Sequence, residues 1–255
     1  MTTRLAGTVI AVGSIKGTGG ATSTALGLAA AAGELTTYAV LTECDPSGGS
    51  LLGWSEHLNA TRPSLYEAAT QSDLEMVLQR LGQIRVVPAQ GDPWKITIAL
   101  EGVRRWRPLM EAAGDVVVVD VGRLYPSSPA LRIAGEADIL ILVSPPEAAP
   151  LAATIEWMLR SGQGSSSDTA LDASRMRLVS VDATTSRRVR VDPNSLVRED
   201  LGVIYAGHIP FDDAALSLLC RGTGFGHRTL TRSKLAYAHR GLINTLVDTT
   251  RLVAR

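Results

Sequence analysis

The sequence predicts an α/β fold in three layers, with a mostly parallel sheet of seven to eight strands and helices on both faces. Apolar runs of strand length alternate with segments of helix length along the chain. One run, Val116 to Val119, is β-branched at every position, as suits a central strand buried on both faces. The 255 residues are 45% hydrophobic, enough for one core, so we predict a single domain over residues 1–255.

Seven strands and seven helices are predicted from these runs. The strands are Thr8–Val12, Tyr38–Thr42, Ile84–Pro88, Val116–Asp120, Ile139–Val143, Leu178–Val181 and Val203–Gly207. The helices are Thr22–Ala32, Ser64–Ala69, Asp73–Leu81, Gly102–Ala113, Ala148–Leu159, Asp212–Leu219 and Ser233–Val253. The glycine- and serine-rich stretch 162–167 is predicted to be a surface loop because it offers no apolar anchor.

The most specific motif is the loop Lys16-Gly17-Thr18-Gly19-Gly20-Ala21-Thr22-Ser23, between the first strand and the first helix. A glycine-rich turn in this position lets backbone N–H groups and a helix N-terminus cradle phosphates. Thr22 stands where the hydroxyl of such a loop binds Mg²⁺. The preceding position normally carries a lysine that reaches the terminal phosphates, and here it is Ala21.

Further polar residues follow other predicted strands. Glu43 and Asp45 come after the second strand, and Asp120 ends the valine-rich strand in the pattern of an aspartate that holds Mg²⁺ through water. The turn from His208 to Asp212 is placed to wall a base pocket. Ligands of open α/β sheets bind at the carboxyl ends of the strands, so we expect these residues to gather around the glycine loop.

Together these motifs resemble those of the MinD/ParA family of P-loop ATPases, the deviant Walker A class. That family's loop reads K-G-G-x-G-K-T-T, and residues 16–23 match it in frame. The likeness covers nearly the whole chain: its D-x-D-P segment, its Walker B strand, its A-D-x-x-x-x-V strand and its L-G-V-x-x-x-G-x-I-P element correspond to residues 43–46, 115–122, 137–143 and 201–210. More loosely, the loop and residues 120–124 resemble MinD-like proteins of actinobacteria that also lack the loop lysine, some associated with Tad-type pilus or secretion loci.

The resemblance implies ATP and Mg²⁺ as cofactors and gives the matched residues roles. Lys16 would be the signature lysine that reaches the phosphates of a partner subunit, and Asp45 would orient the attacking water. Thr22 would bind Mg²⁺ directly and Asp120 through water, while Pro210 would touch the adenine. The backbone amides that would hold the phosphates are those of Gly17, Thr18, Gly19, Gly20, Ala21, Thr22 and Ser23.

Three positions depart from the family pattern. Ala21 replaces the loop lysine, Thr18 replaces a loop glycine, and Asp182 stands near the place of an adenine-reading asparagine. Losing one lysine–phosphate contact weakens nucleotide binding by about one to two powers of ten. Hydrolysis depends more strongly on cations, so we expect it to be slow or absent.

Plainer interpretations of the same residues stay open at this point. Lys16 also fits a solvated turn, Asp45 and Asp120 fit turn and capping positions, and Ser23 fits an N-terminal cap. Glu43 is better explained as structural than as catalytic. The last predicted helix fits an amphipathic membrane anchor or a helix packed on the sheet, and we favour packing because no separate tail is evident.

Charge and composition bear on the partners of the protein. The 25 Lys and Arg residues balance the 25 Asp and Glu residues, so DNA binding through the small arginine clusters at 104–107 and 187–190 is disfavoured. The two cysteines make no disulfide framework, and no apolar run is long enough for a signal peptide or a membrane span. We therefore expect a cytoplasmic protein, with recruitment by a partner to a cell pole or to the inner face of the membrane left open.

Two main hypotheses follow. The first is an ATP-dependent positional switch that forms a homodimer around Mg-ATP, hydrolyses it slowly or not at all, and organises a cellular machine such as a division, pilus or secretion apparatus. The alternative is a catalytically dead pseudo-ATPase that acts as an adaptor for a Tad-type pilus or secretion apparatus. A chromosome or plasmid partitioning ATPase that binds DNA is a third, less favoured hypothesis.

Overall fold

The computed structural model describes residues 7–17, 20–162, 171–182, 190–197 and 202–253. The strands in these ranges are β1 Thr8–Ser14, β2 Ala39–Glu43, β3 Gln79–Leu81, β4 Ile84–Val87, β5 Val116–Arg123, β6 Ile139–Ser144, β7 Met176–Val181 and β8 Tyr205–Ile209. The helices are α1 Ala21–Ala32, α2 Leu51–Trp54, α3 Leu65–Gln71, α4 Pro93–Gly102, α5 Arg107–Ala113, α6 Leu131–Glu136, α7 Ala148–Gly162, α8 Pro193–Leu196, α9 Asp213–Cys220 and α10 Lys234–Val253.

The strands form one eight-stranded sheet in the order β3-β4-β2-β5-β1-β6-β7-β8. The β3–β4 pair is antiparallel and the other neighbouring pairs are parallel. One buried cluster lies between the sheet and α1, α9 and α10, and a second lies on the opposite face under α3 to α7. The predicted three-layer fold is therefore confirmed. The central strands β1 and β5 are buried on both faces, which explains their unbroken apolar sequences.

Each predicted strand is present with its ends moved by a few residues, but the helix predicted over Asp73–Leu81 is wrong. A single 3-10 turn, Glu75–Val77, is followed by the short strand β3. Gly82 adopts a φ of 61°, so the chain turns back at once and β3 pairs with β4 as a hairpin. The apolar residues at 74, 77 and 81 have helical spacing, yet the elements that carry their side chains into the core are a turn and an edge strand.

The helix predicted over Gly102–Ala113 is wrong in its first half. Helix α4 ends at Gly102, and α5 begins only at Arg107 with Pro108 in its first turn, where a proline costs no hydrogen bond. The sequence prediction also missed α4 itself, which Asp92 caps by accepting a hydrogen bond from the N–H of Trp94 at 3.0 Å. The short helices α2, α6 and α8 were missed as well.

The last helix packs on the sheet, as we favoured. Five apolar side chains of α10 are 6% exposed or less and belong to the core that α1 shares: Leu235, Ala236, Leu242, Ile243 and Leu246. His239 of α10 lies against Gly27 of α1, where a Cβ would come within 2.3 Å of the imidazole Nε2. The glycine therefore permits the close approach of the two helices.

Two further expectations concern this part of the chain. Of the predicted loop at 162–167, only Gly162 is described, where it ends α7; the remainder lies outside the described residues. Across the ranges that the structure describes, no helix combines the length and the apolar composition that crossing a bilayer requires.

Candidate functional site

The glycine loop joins β1 to α1 at the carboxyl edge of the sheet. Gly17 and Gly20 have φ values of 70° and 69°, a left-handed conformation that favours glycine. Thr18 and Gly19, two of the predicted nucleotide-binding residues, lie outside the described residues. Gly20 occupies the N-cap position of α1 and no side chain caps the helix, so the first N–H groups of α1 face the loop.

Two loop residues have side-chain environments that the sequence did not settle. The hydroxyl of Ser23 donates to the carbonyl oxygen of Gly20 at 3.0 Å, so the interpretation of Ser23 as an N-terminal cap is wrong. Ala21, at the position of the missing lysine, is 8% exposed and packs into the core under α1. Lys16 is exposed to solvent at the start of the loop.

Asp120 lies on the central strand β5 at the entrance of this loop. It faces Val12 of β1 on one side and Glu43 of β2 on the other. Its side chain accepts hydrogen bonds from the N–H of Gly122 at 3.0 Å and from the hydroxyl of Thr22. The sequence predicted that Thr22 and Asp120 would meet at the loop, and the fold brings them into direct contact.

The carboxyl group of Asp120 is almost inaccessible to water, with 1% of the residue exposed. Its pKa is raised from 3.8 to about 7, mainly because burial disfavours the charged form, and the nearby carboxylates of Glu43 and Asp45 contribute to this rise. The hydrogen bonds from Thr22 and Gly122 oppose this shift without cancelling it. A cation close to Asp120 would therefore favour its ionised form.

Asp45, which follows β2, lies over Gly122, which comes two residues after Asp120 on β5. A Cβ at Gly122 would come within 2.0 Å of the Asp45 carboxyl carbon, and the φ of Gly122 is 58°. Oδ1 of Asp45 also accepts the N–H of Ser47 at 2.8 Å, which is the hydrogen bond of an Asx turn. Asp45 is thus a turn residue that lies beside Asp120, half-buried, and its role toward water stays a prediction.

Glu43 has a structural position, as the sequence favoured. One carboxylate oxygen accepts the N–H groups of Ser50 and Leu51 at 2.7 and 2.8 Å, and the other accepts the N–H of Ala89 at 3.0 Å. These bonds tie the end of β2 to the start of α2 and to the segment after β4. Burial nevertheless raises the pKa of Glu43 above its ordinary value, since the three hydrogen bonds offset only part of the desolvation.

The residues at the head of the loop fit a magnesium ion. A hydroxyl oxygen from Thr22 and a carboxylate from Asp120 are oxygen donors in contact, beside two further acidic residues. Within the described ranges, no three His, Cys, Asp or Glu side chains form a ready cage for a metal. Mg²⁺ does not need one, because it keeps several waters and binds through one or two protein ligands plus phosphates.

Pro210 lies at the other end of the loop region, in the turn after β8. It lines a cavity of about 30 Å³ together with Ser23 and Asp182. Ligand pockets span roughly 300–1,000 Å³, so a base enters here only if the lining side chains move apart. The predicted proximity of Pro210 to the loop is therefore present, while its contact with a base stays a prediction.

Asp182 is one of the polar residues that line this cavity. Its side chain is 8% exposed, and Oδ2 lies 3.2 Å from Arg190 and 3.4 Å from His208. The other oxygen, Oδ1, is buried and accepts no hydrogen bond from the part of the chain described. This free acceptor is of the kind that the amino group of a base could use, and its role toward a base stays a prediction.

Comparison with solved structures places this arrangement in a known fold. The Pyrococcus furiosus cell division ATPase MinD aligns with a TM-score of 0.71 and 20% identity over 95% of this chain and 99% of its own. MinD of Pyrococcus horikoshii in complex with Mg-ADP gives 0.68 and 18% over 97% and 98%, and a ParA family ATPase of Chlorobium tepidum gives 0.68 and 17% over 95% and 98%. The chain has the MinD and ParA fold. No protein-family model and no curated protein matches its sequence.

Within the MinD and ParA fold, Arg123 is the residue near the loop to which the sequence analysis gave no role. It ends β5 directly after Gly122, and its Nε donates to the carbonyl oxygen of Ile15 at 3.3 Å. A Cβ on Gly17 would lie 3.2 Å from its Cδ. The available signal was its place three residues after Asp120, directly after the segment 115–122 that resembles the Walker B strand.

Proposed function

We propose that this chain is a nucleotide-dependent positional switch of the MinD/ParA kind, which binds Mg-ATP at the glycine loop and hydrolyses it slowly or not at all. The observation that carries the proposal is the contact between Thr22 and Asp120 at the head of a loop whose Gly17 and Gly20 are left-handed. The MinD of Pyrococcus horikoshii, of the same fold, is a complex with Mg-ADP.

Each part of the site has a task in this proposal. The N–H groups at the start of α1, free of side-chain caps, bind the inner phosphates. Thr22 would hold Mg²⁺ directly and the ionised form of Asp120 would hold it through water, and the ion would supply positive charge to the phosphates when bound. Asp45, half-buried beside Gly122, orients water toward the terminal phosphate. With Ala21 in place of a lysine, less positive charge faces the transition state, so turnover is slow.

Lys16 gives the proposal its dimer. Lys16 is exposed at the start of the loop, and in this proposal it would reach the phosphates bound by a second copy of the chain. ATP would then close two subunits face to face, and the dimer would act on a division, pilus or secretion machine. Partners and cargo follow from the resemblance alone.

The test is the size of the protein with and without nucleotide. Sedimentation of wild type should show a dimer with Mg-ATP and a monomer without it, and Lys16→Ala should abolish the dimer. The exposed Lys234 at the start of α10 provides a matched control, since Lys234→Ala removes the same charge outside the loop. An oligomer that is unchanged by ATP contradicts the switch.

The buried methyl of Ala21 favours a second candidate, a pseudo-ATPase adaptor that docks a larger apparatus without turnover. Calorimetry separates the two functions. Micromolar ATP affinity with phosphate release that disappears in Asp45→Ala excludes the adaptor. If Ala21→Lys gains ATPase activity that wild type lacks, the remaining site is intact and the lost lysine alone explains the missing turnover.

A partitioning role through DNA is the least supported alternative. The chain has no net charge, and Arg187 and Arg188 of one cluster lie outside the described residues. If a basic face of the dimer bound DNA, the affinity for DNA would fall steeply with increasing salt concentration, which a filter-binding series measures.

A further inference from the structure

Arg123 lies on the same edge of the sheet as the glycine loop. A register shift in the β1–β5 pair places it opposite Ser14, the residue at which β1 ends. The N–H of Leu124 donates to the carbonyl oxygen of Ser14 at 2.8 Å, which fixes the backbone directly after the arginine. Arg123 is therefore presented to the loop by a central strand, the most rigid element available.

The side chain runs along the loop. Nε donates to the carbonyl oxygen of Ile15 at 3.3 Å, and the aliphatic carbons cover the α-carbon of Gly17. The residue is exposed, and Arg123 makes no ion pair with any carboxylate of the described ranges. A permanently charged guanidinium thus lies beside the phosphate loop with no acidic partner in that part of the chain.

Asp45 indicates which phosphate the guanidinium would meet. Asp45 lies over Gly122, the residue directly before Arg123, so the backbone of the arginine adjoins the place where water would be oriented. The inner phosphates belong at the other side, against the N-terminus of α1. The terminal phosphate is therefore the group closest to the Arg123 side.

We propose that Arg123 supplies, from the same chain, the phosphate-binding cation that Ala21 no longer provides. The inference rests on the proposed nucleotide site and adds a residue to it. Arginine suits this task because its planar fork binds phosphate oxygens in pairs and its charge does not depend on pH in the physiological range. Removing such a contact should weaken binding of the triphosphate by about ten- to a hundredfold.

The test titrates fluorescent mant-ATP and mant-ADP, each with Mg²⁺, into wild type, Arg123→Gln and Arg123→Lys. We expect Arg123→Gln to lose at least about tenfold in affinity for the triphosphate and distinctly less for the diphosphate. Arg123→Lys should recover part of the loss, since it keeps the charge and loses the fork.

Arg132 provides a matched control. It is also exposed, and its guanidinium donates to main-chain carbonyls, those of Glu101 and Val103, away from the loop. Arg132→Gln should leave both affinities unchanged. The midpoint of thermal unfolding without nucleotide should be the same in Arg123→Gln and Arg132→Gln. A lower midpoint in Arg123→Gln alone, together with equal losses of affinity for the triphosphate and the diphosphate, would mean that Arg123 only holds Ile15 in place. That result would overturn the proposal.

Restoring the lysine separates a cation from a clamp in a second way. In the Ala21→Lys/Arg123→Gln double variant, the new lysine should recover the affinity that Arg123→Gln lost, because one cation replaces the other. The gain from Ala21→Lys should be larger in the Arg123→Gln background than in wild type. Equal gains in both backgrounds mean independent residues and overturn the proposal.

The outcomes also separate this inference from the proposed function. If Arg123→Gln binds both nucleotides as tightly as wild type does, the role of Arg123 is overturned and the proposed switch is unaffected. Wild type that binds neither mant-ATP nor mant-ADP overturns both.

Discussion

The pKa of Asp120 makes a quantitative prediction about magnesium. At pH 8, a carboxyl with a pKa of about 7 is about nine-tenths ionised, and at pH 6 it is about one-tenth ionised. Only the ionised form is a useful ligand for Mg²⁺. The affinity for Mg-nucleotide should therefore fall about ninefold from pH 8 to pH 6 through this residue alone. Asp120→Asn should bind more weakly at pH 8 and should not show that part of the pH dependence.

The same shift predicts how stability of the nucleotide-free protein depends on pH. The folded-state pKa of Asp120 lies above 3.8, so its stabilising contribution is complete at low pH and is lost as the pH rises through about 7. Linkage gives a loss of about 2 to 3 kcal/mol in the free energy of unfolding between pH 5 and pH 8. Asp120→Asn has no charge to bury, and its stability relative to wild type should rise by about that amount over this range.

His239 makes the comparison with Asp120→Asn necessary. Burial lowers the pKa of His239 to about 4, so its contribution is present above 6.5 and is lost as the pH falls toward 4, opposite in sign to that of Asp120. Wild type and Asp120→Asn share His239, and the difference between them cancels it. The assay is urea denaturation in EDTA at pH 5, 6, 7 and 8. A stability difference that does not change with pH would refute the raised pKa and the magnesium argument with it.

Three substitutions test the close packing around the site. Gly27→Ala puts a methyl within 2.3 Å of the His239 imidazole, and should lower the free energy of unfolding by about 1–3 kcal/mol in urea; an unchanged midpoint would contradict the tight α1–α10 contact. Glu43→Gln replaces one carboxylate oxygen that accepts from backbone N–H groups by an amide group that donates. We expect the free energy of unfolding to fall by about 1–3 kcal/mol while nucleotide affinity is largely kept. Loss of nucleotide binding without loss of stability would instead indicate a catalytic or binding role for Glu43. Gly122→Ala requires a left-handed alanine and displaces Asp45, so it should cost about 1–2 kcal/mol and reduce phosphate release, if any, as strongly as Asp45→Ala; normal release would contradict the role of Asp45.

The sequence was sufficient for the strands other than β3 and for the place of the loop, because both depend on local patterns. Buried parallel strands need unbroken β-branched or apolar runs, and Val116 to Val119 is such a run. The helix predicted at Asp73–Leu81 failed because apolar spacing alone does not report the hairpin that Gly82 makes with its neighbours. Gly222, far away in the chain, lies so close to this turn that a Cβ at Gly82 would come within 1.9 Å of its carbonyl oxygen.

The site was predictable in its members and less so in their environments. Thr22 and Asp120 were expected at the same strand edge, and they are in contact. The three backbone donors to Glu43 come from two distant segments, so no local pattern could reveal them. The sequence shows an arginine at position 123, but it does not show that this side chain lies against Gly17. That closeness is the basis on which we infer that Arg123 binds phosphate.

The charges of the site suggest an order of binding. Glu43, Asp45 and Asp120 lie together, and each of the first two raises the pKa of the third. In a loop with the usual lysine, that lysine would offset this negative charge before any ligand arrives. Ala21 carries no charge, so mobile cations offset the negative charge of the three carboxylates here. Mg²⁺ should therefore bind at Asp120 more tightly once a phosphate chain also binds the ion, and nucleotide without Mg²⁺ should bind poorly. A titration in EDTA that matches the titration with Mg²⁺ would show that the acidic cluster does not depend on the metal.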